Sequence, residues 1–185
     1  MKKKKVYEHV REIISRYGSD RAVLAHLRTG VGRDYFDTPD LIHYTQSEGW
    51  ILPDDESLVI ISHDVLSLFA FRSKGSSASS TSSNDVGIGK ALRMAAGPER
   101  EDPGVQRILS ALVSASSREE LIVHLRRAVG ILAQRDIGLD FPKLAGDLFV
   151  IFGQSQTEGK KRRVQWASDF YTGTPKTHKT TQNQE

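Results

Sequence analysis

The stretch LVIISHDVLSLFAF, Leu58 to Phe71, is the most apolar part of the chain. Its reading decides the fold. Leu58, Ile61, Val65, Leu68 and Phe69 recur at three and four residues, which is the period of one helix face. Ile60, Ala70 and Phe71 cover much of the remaining circumference. A helix that is apolar nearly all round belongs in the middle of a protein. Ser62, His63 and Asp64 interrupt the run, which is also too short to span a bilayer. Asp54, behind Pro53, marks its start.

Working outward, the same period recurs almost everywhere. Val6, Val10, Ile13, Ile14 and Tyr17 form one stripe. Ser19 is placed to cap a helix carrying Val23, Leu24 and Leu27, with Gly30 at its end. Thr38-Pro39 reads as a cap and first turn, followed by Leu41, Ile42 and Thr45. On the other side, GSSASSTSSND (Gly75 to Asp85) offers nothing apolar to bury and reads as a mobile loop. A helix restarts near Gly87 and runs through Met94. Asp102-Pro103 opens another, with Val105, Ile108, Leu109 and Leu112 in register. Ser117 with Glu120 has the spacing of a capping box, ahead of Leu121, Ile122, Leu125, Val129 and Leu132. Asp140 to Pro142 starts the next, and a last helix is expected over Lys160 to Tyr171. No alternating strand pattern of useful length is present.

The expected fold is therefore all-α, an elongated helical bundle of about eight helices. Residues 1–173 would form two lobes, roughly 1–97 and 98–173, with the serine-rich segment 75–85 between helices. A polar tail follows at 174–185.

Composition narrows the function. The chain has 185 residues and 38% hydrophobic content, enough for a core. Cysteine is absent, which excludes disulfides and cysteine-based zinc sites. The cations at the N-terminus have no apolar segment behind them, unlike a signal peptide. The expected location is the cytoplasm, with no membrane partner. Net charge is +3, and removing the four lysines Lys2 to Lys5 leaves −1 for the remainder. A polyanion site must then be a local patch. Cations are concentrated late: after Pro103 there are 12 Lys or Arg against 8 Asp or Glu.

Three motifs bear on chemistry. His63-Asp64, with His43 before and Asp85 after, imitates the ligand order of metal-dependent phosphohydrolases. On a helical wheel, however, His63 falls nearly opposite the Leu58–Val65–Phe69 face. That predicts a histidine and an aspartate on the helix surface, not converging ligands. GIGKALR, Gly87 to Arg93, resembles a phosphate loop but has Ala91 where a Walker motif needs Ser or Thr. Two readings stay open there: a helix start whose N–H groups, with Lys90 and Arg93, hold a phosphate, or a simple loop-to-helix junction. No catalytic triad or paired carboxylates are identifiable.

The third motif is KKRRVQWASDFY, Lys160 to Tyr171. Val164, Ala167, Phe170 and Tyr171 share a face that would anchor the helix, with Arg163 at its edge. Arg162 lies four residues before Trp166, within reach of stacking on the indole. Cations at the start of a helix oppose its dipole. They suggest either an anionic ligand or a frayed turn. Arg28 and Arg33 flank Thr29–Gly32, Arg126 and Arg127 face outward from the Leu121–Leu132 helix, and Arg135 ends that helix. A solvated helix face remains the alternative for each charge run.

The order of LAHLRTGVGR (Leu24 to Arg33), SLFAF (Ser67 to Phe71), GIGKALRMA (Gly87 to Ala95), HLRRAVGILAQRDIGLDFPKLAGDL (His124 to Leu148) and RRVQWASDFY (Arg162 to Tyr171) resembles the CasB family. CasB is the small subunit of the type I-E CRISPR surveillance complex, Cascade. The likeness covers nearly the whole chain, and W-x-x-x-F-Y behind cations is its most specific piece. The serine-rich loop departs from it.

The resemblance implies a non-catalytic helical subunit without cofactor or metal. Its expected partners are the other Cascade subunits, guide RNA, single-stranded DNA or RNA, and a second copy lying head to tail. The expected role is sequence-independent binding of the DNA strand displaced when guide pairs with target. Carried to positions, it points to Arg28, Arg33, Lys90, Arg93, Arg126, Arg127, Lys143, Arg162 and Arg163. Trp166, Phe170 and Tyr171 go to the fold, and Lys2 to Lys5 to solubility. A metal-dependent phosphohydrolase and a helical adaptor that binds only protein are the alternatives.

Overall fold

The computed structural model describes residues 2–45, 56–73, 85–99, 101–153 and 155–172, with side chains from Val6 onward. Readings that fall on Pro53, Asp54, most of the serine-rich segment and the C-terminal tail lie outside the described residues. Those residues hold helices and no strand, as the periodicity predicts.

There are nine α-helices among the described residues. They are α1 (Lys2–Tyr17), α2 (Arg21–Thr29), α3 (Ile42–Thr45), α4 (Glu56–Arg72), α5 (Ile88–Ala96), α6 (Pro103–Ser114), α7 (Arg118–Gln134), α8 (Phe141–Ile151) and α9 (Gln156–Thr172). Two 3-10 turns, Tyr35–Asp37 and Pro39–Leu41, precede α3.

Local chemistry sets most boundaries. Asp102 and Asp140 cap α6 and α8, each with proline in the first turn. Ser117 Oγ accepts from Glu120 N at 3.2 Å, which is one half of a capping box. Glu120 Oε2 reaches past Ser117 to accept from Ser116 N at 2.8 Å. At α2 the cap is Asp20, not Ser19: Asp20 Oδ1 takes the N–H groups of Ala22 and Val23. A carboxylate at that position also favours the positive end of the helix dipole.

α4 is the axis of the fold. Every residue from Leu58 to Ala70 except Ile60 is buried. α1, α2, α7 and α8 pack against it, and the two 3-10 turns and α3 cover its His63 side. This last cover corrects the reading of His63 and Asp64 as surface residues. Both are buried, at 0% and 4% exposure. The helical wheel identifies the less apolar side of α4 correctly. It does not show that another segment closes over that side.

The outer helices seal the rest. α1 buries Val6, Val10 and Ile13, and lies along α8. α5 crosses α9 at backbone contact: a Cβ at Gly89 would sit 2.1 Å from the Trp166 carbonyl oxygen. No side chain fits there. One hydrophobic cluster includes residues from all the longer helices. No helix among the described residues is long and apolar enough to cross a membrane.

Candidate nucleic-acid interface

α9 begins four residues earlier than its cations suggest. Ser155 Oγ accepts from Glu158 N at 3.3 Å, and Gly159 enters the second turn. Gly159 lets α9 approach α8: a Cβ there would lie 2.7 Å from the Ile151 carbonyl oxygen. Lys160 to Arg163 therefore stand beyond the first turn, where the dipole acts weakly. Lys161 also has a local partner. Its Nζ donates to Glu158 Oε1 at 2.8 Å, and that contact raises its pKa above the ordinary lysine value.

The buried stripe of α9 is Gly159, Trp166 and Phe170. Val164 and Tyr171 are exposed, which corrects their assignment to an anchoring face. Trp166 turns its indole inward, and its Nε1–H donates to Asp147 Oδ2 at 2.8 Å. Arg162 does not stack on the indole. Its Nη1 lies 3.3 Å from Asp147 Oδ1. One buried carboxylate of α8 thus receives both the tryptophan and the arginine. Arg163 turns the other way and donates to the Ala115 carbonyl, behind α6. Asp147 is the functional partner that sequence reading misses. Its signal is a lone carboxylate in the apolar run of α8, because a buried charge requires a partner.

Arg126 and Arg127 are exposed on α7. The Arg126 guanidinium sits 5.3 Å from the Phe71 ring centroid, over the C-terminal end of α4. Arg28, half-buried, reaches the same end, where its Nε donates to the Ala70 carbonyl at 2.9 Å. Helix C-termini carry unsatisfied carbonyls and partial negative charge, so a cation fits there. Arg28 and Arg126 are far apart in sequence, and both reach the last turn of α4. Arg135 caps α7 and bonds the Ala95 carbonyl and Asp102, which ties it to the fold. That contact also holds the Asp102 carboxyl below the usual carboxylate range.

At α5 the helix starts at Gly87 without a side-chain cap. Lys143 Cε lies 3.6 Å from where a Gly87 Cβ would be, so its ammonium group stands beside the uncapped turn. Lys143 Nζ meets Asp85 Oδ1 at 3.3 Å in an exposed pair that contributes little to stability. Lys90 is exposed and Arg93 half-buried. Asp140 organises this corner. It caps α8 by accepting from Lys143 N, accepts from Asp85 N at 3.0 Å, and donates its own N–H to the Val86 carbonyl at 2.9 Å. Gly89 rests on the Trp166 carbonyl, so the α5 start adjoins α9.

Arg33 is exposed in the segment before the 3-10 turns, next to Asp34. The four proposed metal ligands do not converge. His63 Nε2 shares a hydrogen bond with Thr38 Oγ1 at 3.0 Å. Both Asp64 oxygens accept from Arg118, at 2.9 and 2.8 Å. His43 is exposed on α3, and Asp85 lies at the α5 start. An arginine on both carboxylate oxygens opposes a second cation. Among the described residues no three His, Cys, Asp or Glu side chains form a metal-binding group.

A family model described as CRISPR-associated protein Cse2 matches residues 23–171. Among solved structures, CasB from Thermobifida fusca superposes with a TM-score of 0.72 at 24% identity, covering 91% of this chain and 96% of that one. CasB from Thermus thermophilus gives 0.68 at 16% identity, covering 92% and 98%. A further CRISPR-associated protein of the Cse2 family, TTHB189 from Thermus thermophilus, gives 0.67 at 19% identity over the same shares. At these identities the likeness concerns the fold. No curated protein sequence matches.

Proposed function

Because the chain belongs to the Cse2 family of CRISPR-associated proteins, we propose that it is the non-catalytic small subunit of a Cascade-type complex and holds the displaced DNA strand. Its partners are then the other subunits, the guide RNA and a second copy of itself, and its place of work is the cytoplasm. The observation that carries this reading is the exposed Arg126–Arg127 pair on α7, with Arg28 also reaching the last turn of α4. A second group, Lys90 and Lys143 at the uncapped start of α5 and Arg93 in its last turn, supports it. Arg162 and Arg163 contribute mainly through α9, and Arg33 stands apart among carboxylates.

The chemistry suits a strand held without sequence reading. Guanidinium and ammonium groups neutralise phosphates and release counterions whatever the base. Exchange of a DNA duplex for a guide heteroduplex is nearly balanced in free energy, so modest contacts to the freed strand tip it.

The test is fluorescence anisotropy with a labelled single strand of mixed sequence, at 50 and 200 mM salt. Four neutralised phosphates weaken binding on the order of 50-fold over that range. The double variant Arg126→Glu/Arg127→Glu should lower the slope of log affinity against log salt by about 1.4. An unchanged slope in a folded variant would remove α7 from the interface.

A further inference from the structure

Phe36 is the most exposed large hydrophobic side chain among the described residues, at 63%. It is also firmly held. Its N–H donates to Asp34 Oδ1 at 3.0 Å. Its ring lies edge-on to Tyr35, centroids 5.4 Å apart, and Tyr35 is buried and edge-on to His63. Thr38 fastens the next residues through the Tyr35 carbonyl and His63 Nε2. Arg118 joins the turn to the core, gripping Asp64 and lying 3.8 Å from Asp34 Oδ2. A buried polar network from α4 and α7 thus props one aromatic ring into solvent. A ring held this way loses little entropy on binding.

Its surroundings are acidic. Asp37 and Asp40 are exposed on the same turns, and Asp34 is half-exposed. Glu119, whose side chain is 76% exposed, lies close enough to Asp34 to feel its charge. Arg33 and Arg118 are the opposing cations, and Arg118 is already engaged with Asp64. A nucleic-acid strand stacking on Phe36 would bring its phosphates against this rim.

We propose that the Asp34–Asp40 turn is a docking surface for a basic protein segment, in which an arginine or lysine covers the Phe36 ring while its neighbours meet Asp34, Asp37 and Glu119. The inference rests on the reading of this chain as a subunit of a larger complex. It adds a polarity to that reading: DNA on the α7 and α5 cations, protein on the acidic turn. An exposed aromatic with a charged rim has the make-up of an interface anchor.

The experiment uses the full chain assembled with the remaining Cascade subunits. Phe36→Ala should weaken incorporation about tenfold, the scale of one anchor residue. Phe36→Trp should restore it, and single-strand affinity of the isolated chain should not change. A photoreactive phenylalanine at position 36 should crosslink to a Lys- or Arg-rich peptide of a neighbouring subunit. Unchanged incorporation of Phe36→Ala overturns the proposal, as does crosslinking to nucleic acid or to nothing. Failure of the DNA-holding role would instead appear as loss of the salt-dependent binding, which Phe36 leaves untouched.

Discussion

Two arginine pairs, Arg126–Arg127 on α7 and Arg162–Arg163 on α9, are the same dipeptide on helices of the same length. They do different work. The α7 pair is exposed, with one guanidinium resting on Phe71. Both members of the α9 pair are half-buried and committed, one to Asp147 and one to the Ala115 carbonyl. The difference lies in what faces them. α8 presents a buried carboxylate to α9, whereas α7 turns its pair to solvent. A run of cations therefore signals a polyanion site only where the fold leaves the charges unspent.

The comparison can be broken most forcefully at its hinge. Trp166→Ala removes a side chain that is 2% exposed and leaves Asp147 without its indole partner. It should cost about 3–5 kcal/mol of unfolding free energy, measured by urea titration. A cost under about 1 kcal/mol would show that α9 is not held by this contact.

Next in size is the contrast between the pairs. Arg162→Glu sets a second carboxylate against Asp147 and should cost about 2 kcal/mol, reduced from the fully buried case because the Arg162 side chain is 32% exposed. Arg126→Glu/Arg127→Glu should stay within about 0.5 kcal/mol of the parent. Equal losses in the two variants would erase the distinction between a structural and a free pair.

The smallest effect concerns a buried histidine on α1. Burial pushes His9 below the ordinary histidine pKa, outweighing its hydrogen bond to the Thr45 carbonyl at 2.8 Å and the Glu12 charge, which both act to raise it. The unfolded chain therefore binds the proton more readily than the folded one. Stability from this residue is present above the unfolded value near 6.5 and declines as pH falls below it towards the lowered folded value. Chemical denaturation at pH 7 and pH 5 should show that decline, and His9→Gln should flatten it. An unaltered profile in His9→Gln would assign the pH dependence to other groups.

Much of the fold was legible because helix periods and caps are local. Asp102, Ser117 and Asp140 mark their helices in sequence as they do in space. α4 reads as central because its apolar residues leave little of its surface polar. The site was less legible because partnership is not local. Nothing near Arg162 announces Asp147, and nothing near His63 announces Thr38 across 25 residues. Gly159 shows the same limit. Nothing along the chain marks it as a contact, and read against Ile151 it permits two helices to touch. That Arg28 and Arg126 both reach the end of α4 is likewise visible only in the fold.

The carboxylate shared by Trp166 and Arg162 has an optical consequence. An indole whose N–H points at a charged group reports that charge in its emission. When Arg162 is replaced by glutamine, Asp147 keeps its charge beside Trp166 with less to balance it. With Trp50 replaced by phenylalanine, the remaining tryptophan becomes a built-in sensor. Events on the outer surface of α9 would then change the colour of light emitted from its core.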